Sequence, residues 1–417
     1  MTLLSRFFSS VRGLPTPTKV ALLLFFAAGF ADGVLMPFFA LWAQREGGIA
    51  TAHIGLLLGC YAGGELLATP FLGGIADRVG RRPTLLVSAL GVGLGFGLLY
   101  LTRGPWLSAA ALILIGVFEC ALHPTAAAVI ADVTPAEETR ARFALARVAA
   151  GAGAVAGPAL GAWLVRWSLG LVFVAAAVSL VLAAGAVAAF LPETRQPDAT
   201  AEDDEEEEES VLALGAALRD PRLAALLAPV LLLQMTGSWI ESVLPLAADD
   251  AGTLTPSGVG LLFTYAGVFG VCLQLPVLAA SRRLAGSVLT AVSGVLLALA
   301  FGGLLAGVAL PWLVLAVTLL AGAQILVGPL TQALVNELAP ARARATYLAA
   351  LSVVNDLRDA AGPAAGAGLY ALSVRLPWIV GLPVALAASL ALSMAVRRQE
   401  LRAGETLRNP PAPSPAA

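Results

Sequence analysis

Lysine is almost missing: of 25 basic residues only Lys19 is a lysine. Histidine occurs twice, at His53 and His123, and cysteine three times, at Cys60, Cys120 and Cys272. Each cysteine falls within a long apolar run, so neither a disulfide framework nor a zinc spacing is offered. Charge of either sign is scarce, at 12% of 417 residues, and a net charge of −2 gives no argument for a nucleic-acid partner. No catalytic nucleophile, metal-ligand cluster or phosphate loop is visible, which argues against an enzyme and against a bound cofactor or metal.

What the chain has instead is apolar length. Hydrophobic residues make up 59%, and the mean hydropathy is +0.86, values of a polytopic membrane protein. A membrane-crossing helix needs about 20 apolar residues. Such runs are expected at 19–43, 53–76, 83–102, 105–132, 141–166 and 168–191, and again at 221–248, 256–281, 285–307, 311–337, 345–372 and 376–396. The first run is too long for the core of a signal peptide and reads as a retained helix. The organisation expected is a tail (1–18), a six-helix bundle (19–191), an acidic linker (192–220), a second bundle (221–396) and a Pro- and Ala-rich tail (397–417). Nineteen basic residues fall on one set of segments and four on the other. This places both tails, the linker and the 76–83 turn in the cytoplasm. Eight consecutive acids, Glu202 to Glu209, suit a self-repelling solvated tether.

Between the second and third runs lies Gly73-Gly74-Ile75-Ala76-Asp77-Arg78-Val79-Gly80-Arg81-Arg82. Its pattern, G-x-x-x-D-R-x-G-R-R, resembles the signature loop of the major facilitator superfamily, complete at Gly73, Asp77, Arg78, Gly80, Arg81 and Arg82. Asp77 ends a helix whose dipole disfavours an anion there, so it needs an outside partner. The resemblance implies a charge network of Asp77, Arg81 and Asp132 that holds the cytoplasmic side closed in the outward-open state. The Leu191-Pro192-Glu193-Thr194-Arg195 stretch resembles the short segment common after the sixth helix of that superfamily.

A repeat runs through the chain at an offset of 205 residues. It relates Pro124 to Pro329, Asp132 to Glu337, Pro135 to Pro340, Gly157-Pro158 to Gly362-Pro363, and Gly161 to Gly366. Two parallel six-helix halves around a midplane site fit such a repeat. In the fifth helix, Gly153, Gly157, Pro158 and Gly161 are similar to the G-x-x-x-G-P-x-x-G motif of the drug:proton antiporters of the superfamily. The helix 4 arginine that often serves proton transfer in that family is replaced by an apolar residue near Leu112.

Six acids fall within the predicted spans and away from their ends: Asp32, Glu65, Glu119, Glu241, Asp356 and Asp359. Two arginines, Arg147 and Arg358, stand against them. Membrane acids are costly and usually functional, and this excess of acids implies that some carry protons. Glu119 and His123 share a face at i,i+4, so the pair is the first candidate for proton coupling, with Asp32 and Glu65 beside it. Trp239, Gln234 and Gln274 are candidate cavity walls.

The expectation is an all-α membrane protein of twelve transmembrane helices in two pseudo-symmetric bundles. The resemblance implies a monomeric, proton-driven exporter of amphipathic or cationic small molecules in a bacterial inner membrane. The alternatives are proton-coupled uptake of a small solute, lipid translocation, and a non-transporting receptor.

Overall fold

The computed structural model describes residues 13–72, 75–135, 137–194, 215–281, 283–340 and 343–408. Gly73, Arg282 and the acidic run Glu202 to Glu209 lie outside the described residues, as does the side chain of Asp77.

Twelve long helices account for nearly all of the described chain. The first six are α1 (Thr16–Arg45), α2 (Thr51–Leu72), α3 (Arg81–Leu101), α4 (Pro105–Asp132), α5 (Thr139–Leu164) and α6 (Leu171–Phe190). The second six are α7 (Pro221–Asp250), α8 (Pro256–Ser281), α9 (Gly286–Ala306), α10 (Leu310–Leu338), α11 (Arg344–Leu372) and α12 (Leu376–Arg408). One short helix, Ile75–Val79, lies between α2 and α3. Ten of the long helices are long and apolar enough to cross a membrane. α2 and α11 fall outside that set, and α11 carries Asp356, Arg358 and Asp359. Proline opens α4 and α7, where its missing N–H costs nothing. Asp220 caps α7 by accepting from the Arg222 amide at 2.8 Å.

Within the first half α1 packs on α5 and α6, α2 on α4, and α3 on α4 and α6. In the second half α7 packs on α11 and α12, and α9 on α10 and α12. Large buried rings fill each half: Trp42 stands edge-on to Phe173 at 5.2 Å, and Phe301 lies 6.3 Å from Trp378. Exposed Leu67, Phe71, Leu101, Leu182, Leu275 and Leu372 present an apolar exterior to lipid.

The halves meet along α2–α11, α5–α8 and α1–α7. We call the end carrying the start of α1 the terminus face and the other the distal face. The halves touch at the distal face and part toward the terminus face. On α2, a Cβ added at Gly55 would stand 2.7 Å from the Pro363 carbonyl oxygen, and one at Gly59 3.0 Å from that of Ala360, while one at Gly63 meets nothing within 4 Å. α8 repeats the pattern: Gly260 is tight against Phe38 and Ala162, Gly267 against Val155, and Gly270 is open.

Most boundaries shift by a few residues from the sequence reading, and one shifts by more. α12 continues to Arg408 instead of ending at 396. Its extension is fixed by Glu400, whose carboxylate accepts from the Ser287 amide and hydroxyl at 3.3 and 2.7 Å.

Candidate functional site

A cavity of about 530 Å³ lies between the halves, lined from α1, α5, α7, α8 and α10. Its wall is mostly apolar, with Met36, Ile240, Phe263, Leu320 and Ile325 among its side chains. The polar exceptions are Asp32, Glu241, Gln274 and Gln324. Among the described residues lining it, two are charged, both are acids, and none is basic.

Asp32 is the visible edge of a larger arrangement. The Tyr61 hydroxyl lies 3.4 Å from Asp32 Oδ1 and 3.0 Å from Glu119 Oε2. Close helix contact makes this possible: a Cβ at Gly64 would stand 2.7 Å from the Ile113 carbonyl oxygen, and one at Gly116 2.8 Å from the Glu65 amide nitrogen. α2 and α4 therefore touch backbone to backbone, which sets Tyr61 against Glu119. A hydroxyl has one proton to donate. Both contacts are satisfied together when one carboxyl carries a proton and donates it to the hydroxyl oxygen. Glu119 is buried and stands behind Asp32, off the cavity wall. His123 packs its ring 5.7 Å from Phe25. Glu65 lies within electrostatic reach of Asp32 and Asp356, off the cavity wall.

Glu241 accepts from Gln324 Nε2 at 2.7 Å across α7 and α10. Behind it, a space of about 30 Å³ is lined by Glu241, Gln324, Gln234 and Arg358. A polar space of that size has room for water. Arg358 donates to Asp359 at 2.8 Å and to Gln234 Oε1 at 3.1 Å, and Gln234 donates to Asn355 at 3.4 Å. Arg358 is thus tied within its own half.

Two expectations change here. Arg147 is exposed and makes no hydrogen bond or ion pair among the described residues, so it does not compensate the interior acids. It is eight residues into α5, where its long stem leaves the packed surface. Trp239 is buried against Gly366 of α11 and is not on the cavity wall. Positions two apart on a helix point about 200° away from each other, so the turn that aims Glu241 inward aims Trp239 elsewhere.

The loop after α2 is built around Gly80, whose φ of 112° only glycine adopts easily. Arg81 Nε bonds Asp132 Oδ2 at 3.3 Å, and Thr194 donates to the same oxygen at 3.2 Å. Arg82 reaches the Ala188 carbonyl at 2.7 Å. Glu193 accepts from the Arg81 and Arg82 amides at 2.9 and 3.2 Å, capping α3 from the end of α6. In α5, Gly153 and Gly157 lie against the Phe26 and Phe30 carbonyls of α1, and Gly161 against the Phe38 ring. The helix 5 motif is thus a close-packing surface for α1, while Pro158 reaches the cavity. Gly362 and Gly366 seat α7 on α11 through Ser238 and Trp239 in the same manner.

The sequence reading did not single out the distal face. There Arg45 forms a two-pronged pair with Asp249, with Nε to Oδ2 at 2.8 Å. Gln44 donates to Asp250 at 3.2 Å, and Tyr370 to Asp250 at 2.7 Å. Gln324 was missed as well. The available signals were a cation closing α1 and two acids closing α7, both at helix ends of the same level.

Comparison with known proteins agrees with this architecture. The family model of the Major Facilitator Superfamily matches residues 21–363. The chain is 28% identical over 344 residues to the class C tetracycline resistance protein of Escherichia coli, covering 79% of this chain and 84% of that one. It is 26% identical over 353 residues to the multidrug resistance protein MdtH of Cronobacter sakazakii, covering 83% and 85%. In fold it is similar to a POT family transporter crystallised with 5-aminolevulinic acid, with a TM-score of 0.76 at 14% identity over 93% of this chain and 97% of that one. The chain belongs to the Major Facilitator Superfamily and is a multi-pass membrane transporter of small molecules, not an enzyme.

Proposed function

We propose that this transporter is a proton-driven exporter of amphipathic, cationic small molecules. The observation that carries this is the 530 Å³ cavity between the halves, apolar in most of its wall and charged only by Asp32 and Glu241. Apolar surface binds the body of such a molecule, and carboxylates without a lining base select a positive group. The Asp32–Tyr61–Glu119 arrangement supplies a place to hold the exchanged proton. A cation bound near Asp32 disfavours that proton, and the proton's return disfavours the cation, so the two ligands alternate. The names of the relatives, which concern tetracycline and multidrug resistance, support efflux over uptake. The terminus face is assigned to the cytoplasm of a bacterial inner membrane, from the weight of arginine on that side. Splayed helices at that face then correspond to a cytoplasm-open form, and rocking the halves exposes the cavity to the other side. The protein works as a monomer, with the proton gradient as its energy source.

The test is export of fluorescent cationic dyes, and growth protection across a compound panel, in a host lacking its own pumps. Energised export that collapses with a protonophore is expected. Uptake of the dyes, or export indifferent to the proton gradient, overturns the proposal.

A further inference from the structure

We infer that Glu241, clamped by Gln324, anchors the cationic group of the substrate, while the Asp32–Tyr61–Glu119 arrangement in the other half carries the proton. The inference rests on the export reading and divides its labour between two sites.

The two acids of the cavity have different partners. Asp32 shares with Glu119 a hydroxyl that can both donate and accept, so the trio stays bonded whichever carboxyl holds a proton. Glu241 meets an amide N–H, a donor in every proton state, at 2.7 Å on Oε1. This favours a carboxylate that remains an acceptor and leaves Oε2 for a ligand. Arg358 lines the 30 Å³ space behind Glu241, adding a positive field from the side away from the main cavity. Arg358 is itself occupied by Asp359 and Gln234, so it does not close on Glu241. The wall of the main cavity offers Met36, Phe263 and Ile325 to an apolar body. A lipophilic monocation fits this surrounding: one positive centre, no donor to satisfy, and a large apolar surface.

The experiment uses the purified full-length protein and tetraphenylphosphonium, reading affinity by calorimetry and proton release in weakly buffered solution. Wild type is expected to bind the cation and release protons. Glu241→Gln is expected to weaken binding about tenfold or more, the scale of one lost charge contact, and at saturation to release as many protons per bound cation as wild type. Asp32→Asn is expected to give the reverse, with binding retained and proton release lost. If Glu241→Gln is not recovered folded, Gln324→Leu carries the test, since it removes the clamp and leaves the acid. It is expected to weaken binding several-fold with proton release intact. Binding within twofold of wild type in the recovered variant overturns the inference, as does a Glu241→Gln protein that binds without releasing protons. If wild type itself neither binds nor transports this cation, the export reading fails, which is a different result from equal binding by wild type and variant.

Discussion

Cutting the distal latch should move the balance between the two ends of the molecule by a measurable factor. The Arg45–Asp249 pair is two-pronged, with an Asp249 side chain 7% exposed and an Arg45 side chain 48% exposed. Fully exposed ion pairs contribute about 0–1 kcal/mol, and breaking a buried pair costs about 3–5 kcal/mol. Half exposure and good geometry place this contact at about 1–1.5 kcal/mol. Because the pair joins α1 to α7 across the seam, its coupling energy belongs to the distal-closed state alone. Asp249→Asn should raise the ratio of distal-open to distal-closed molecules about five- to thirteenfold. The assay is a spin-label distance between Arg166→Cys and Ala251→Cys, both at exposed distal positions, with Cys60, Cys120 and Cys272 replaced by serine. The double variant Arg45→Gln/Asp249→Asn should shift little beyond either single one, since the second change removes a contact already broken. At high salt the effect should shrink, because the arginine is half in water. Additive shifts from the two substitutions, or an unchanged distance distribution in both, would refute the latch.

Three further outcomes follow from the same structure. Reversing the charges at Arg81 and Asp132 singly should impair transport, and reversing both should restore part of it, because the contact is direct at 3.3 Å; absence of rescue in transport assays with equal expression removes the pair. Gly55→Leu should lower the turnover rate by at least tenfold, since even a Cβ there stands 2.7 Å from the Pro363 carbonyl and a full side chain holds α2 off α11; wild-type turnover in liposomes would show that the seam tolerates separation. Replacing Glu202 to Glu209 with a Gly/Ser tract of equal length should leave transport within about twofold, as a tether needs reach more than sequence, and a collapse with normal expression would show that the run binds something.

The twelve helices, their grouping into halves and the loop before α3 could be read from apolar length, the repeat offset and one motif. The site was harder, because a helix's own sequence does not say which face meets a cavity. Trp239 and Glu241 looked equivalent in α7, yet two positions turn the helix by about 200°, and only Glu241 lines the cavity. Arg147 and Arg358 looked like matching counter-charges. Arg358 is tied by Gln234 and Asp359, while Arg147 is exposed, and nothing within α5 distinguishes the two cases. The latch had a trace in the repeat. Arg45 and Asp249 are 204 residues apart, and Gln44 and Asp250 206, so near-equivalent positions of the halves meet at their pseudo-axis with complementary chemistry. An isolated motif search does not test that pairing.

Both halves cap the start of their third helix with a carboxylate from their last one. Glu193 at the end of α6 caps the start of α3, and Glu400 near the end of α12 caps the start of α9. Each carboxylate also meets the partial positive charge of a helix N-terminus, worth about 0.3–1 kcal/mol. Each bundle is thereby cross-braced at the terminus face, its last helix strapped to its third. A strap of this kind stiffens the bundle against shear but leaves the seam between bundles untouched. Work done by a proton or a bound cation at the cavity is then transmitted as rotation of two stiff bodies, with little lost to bending either one.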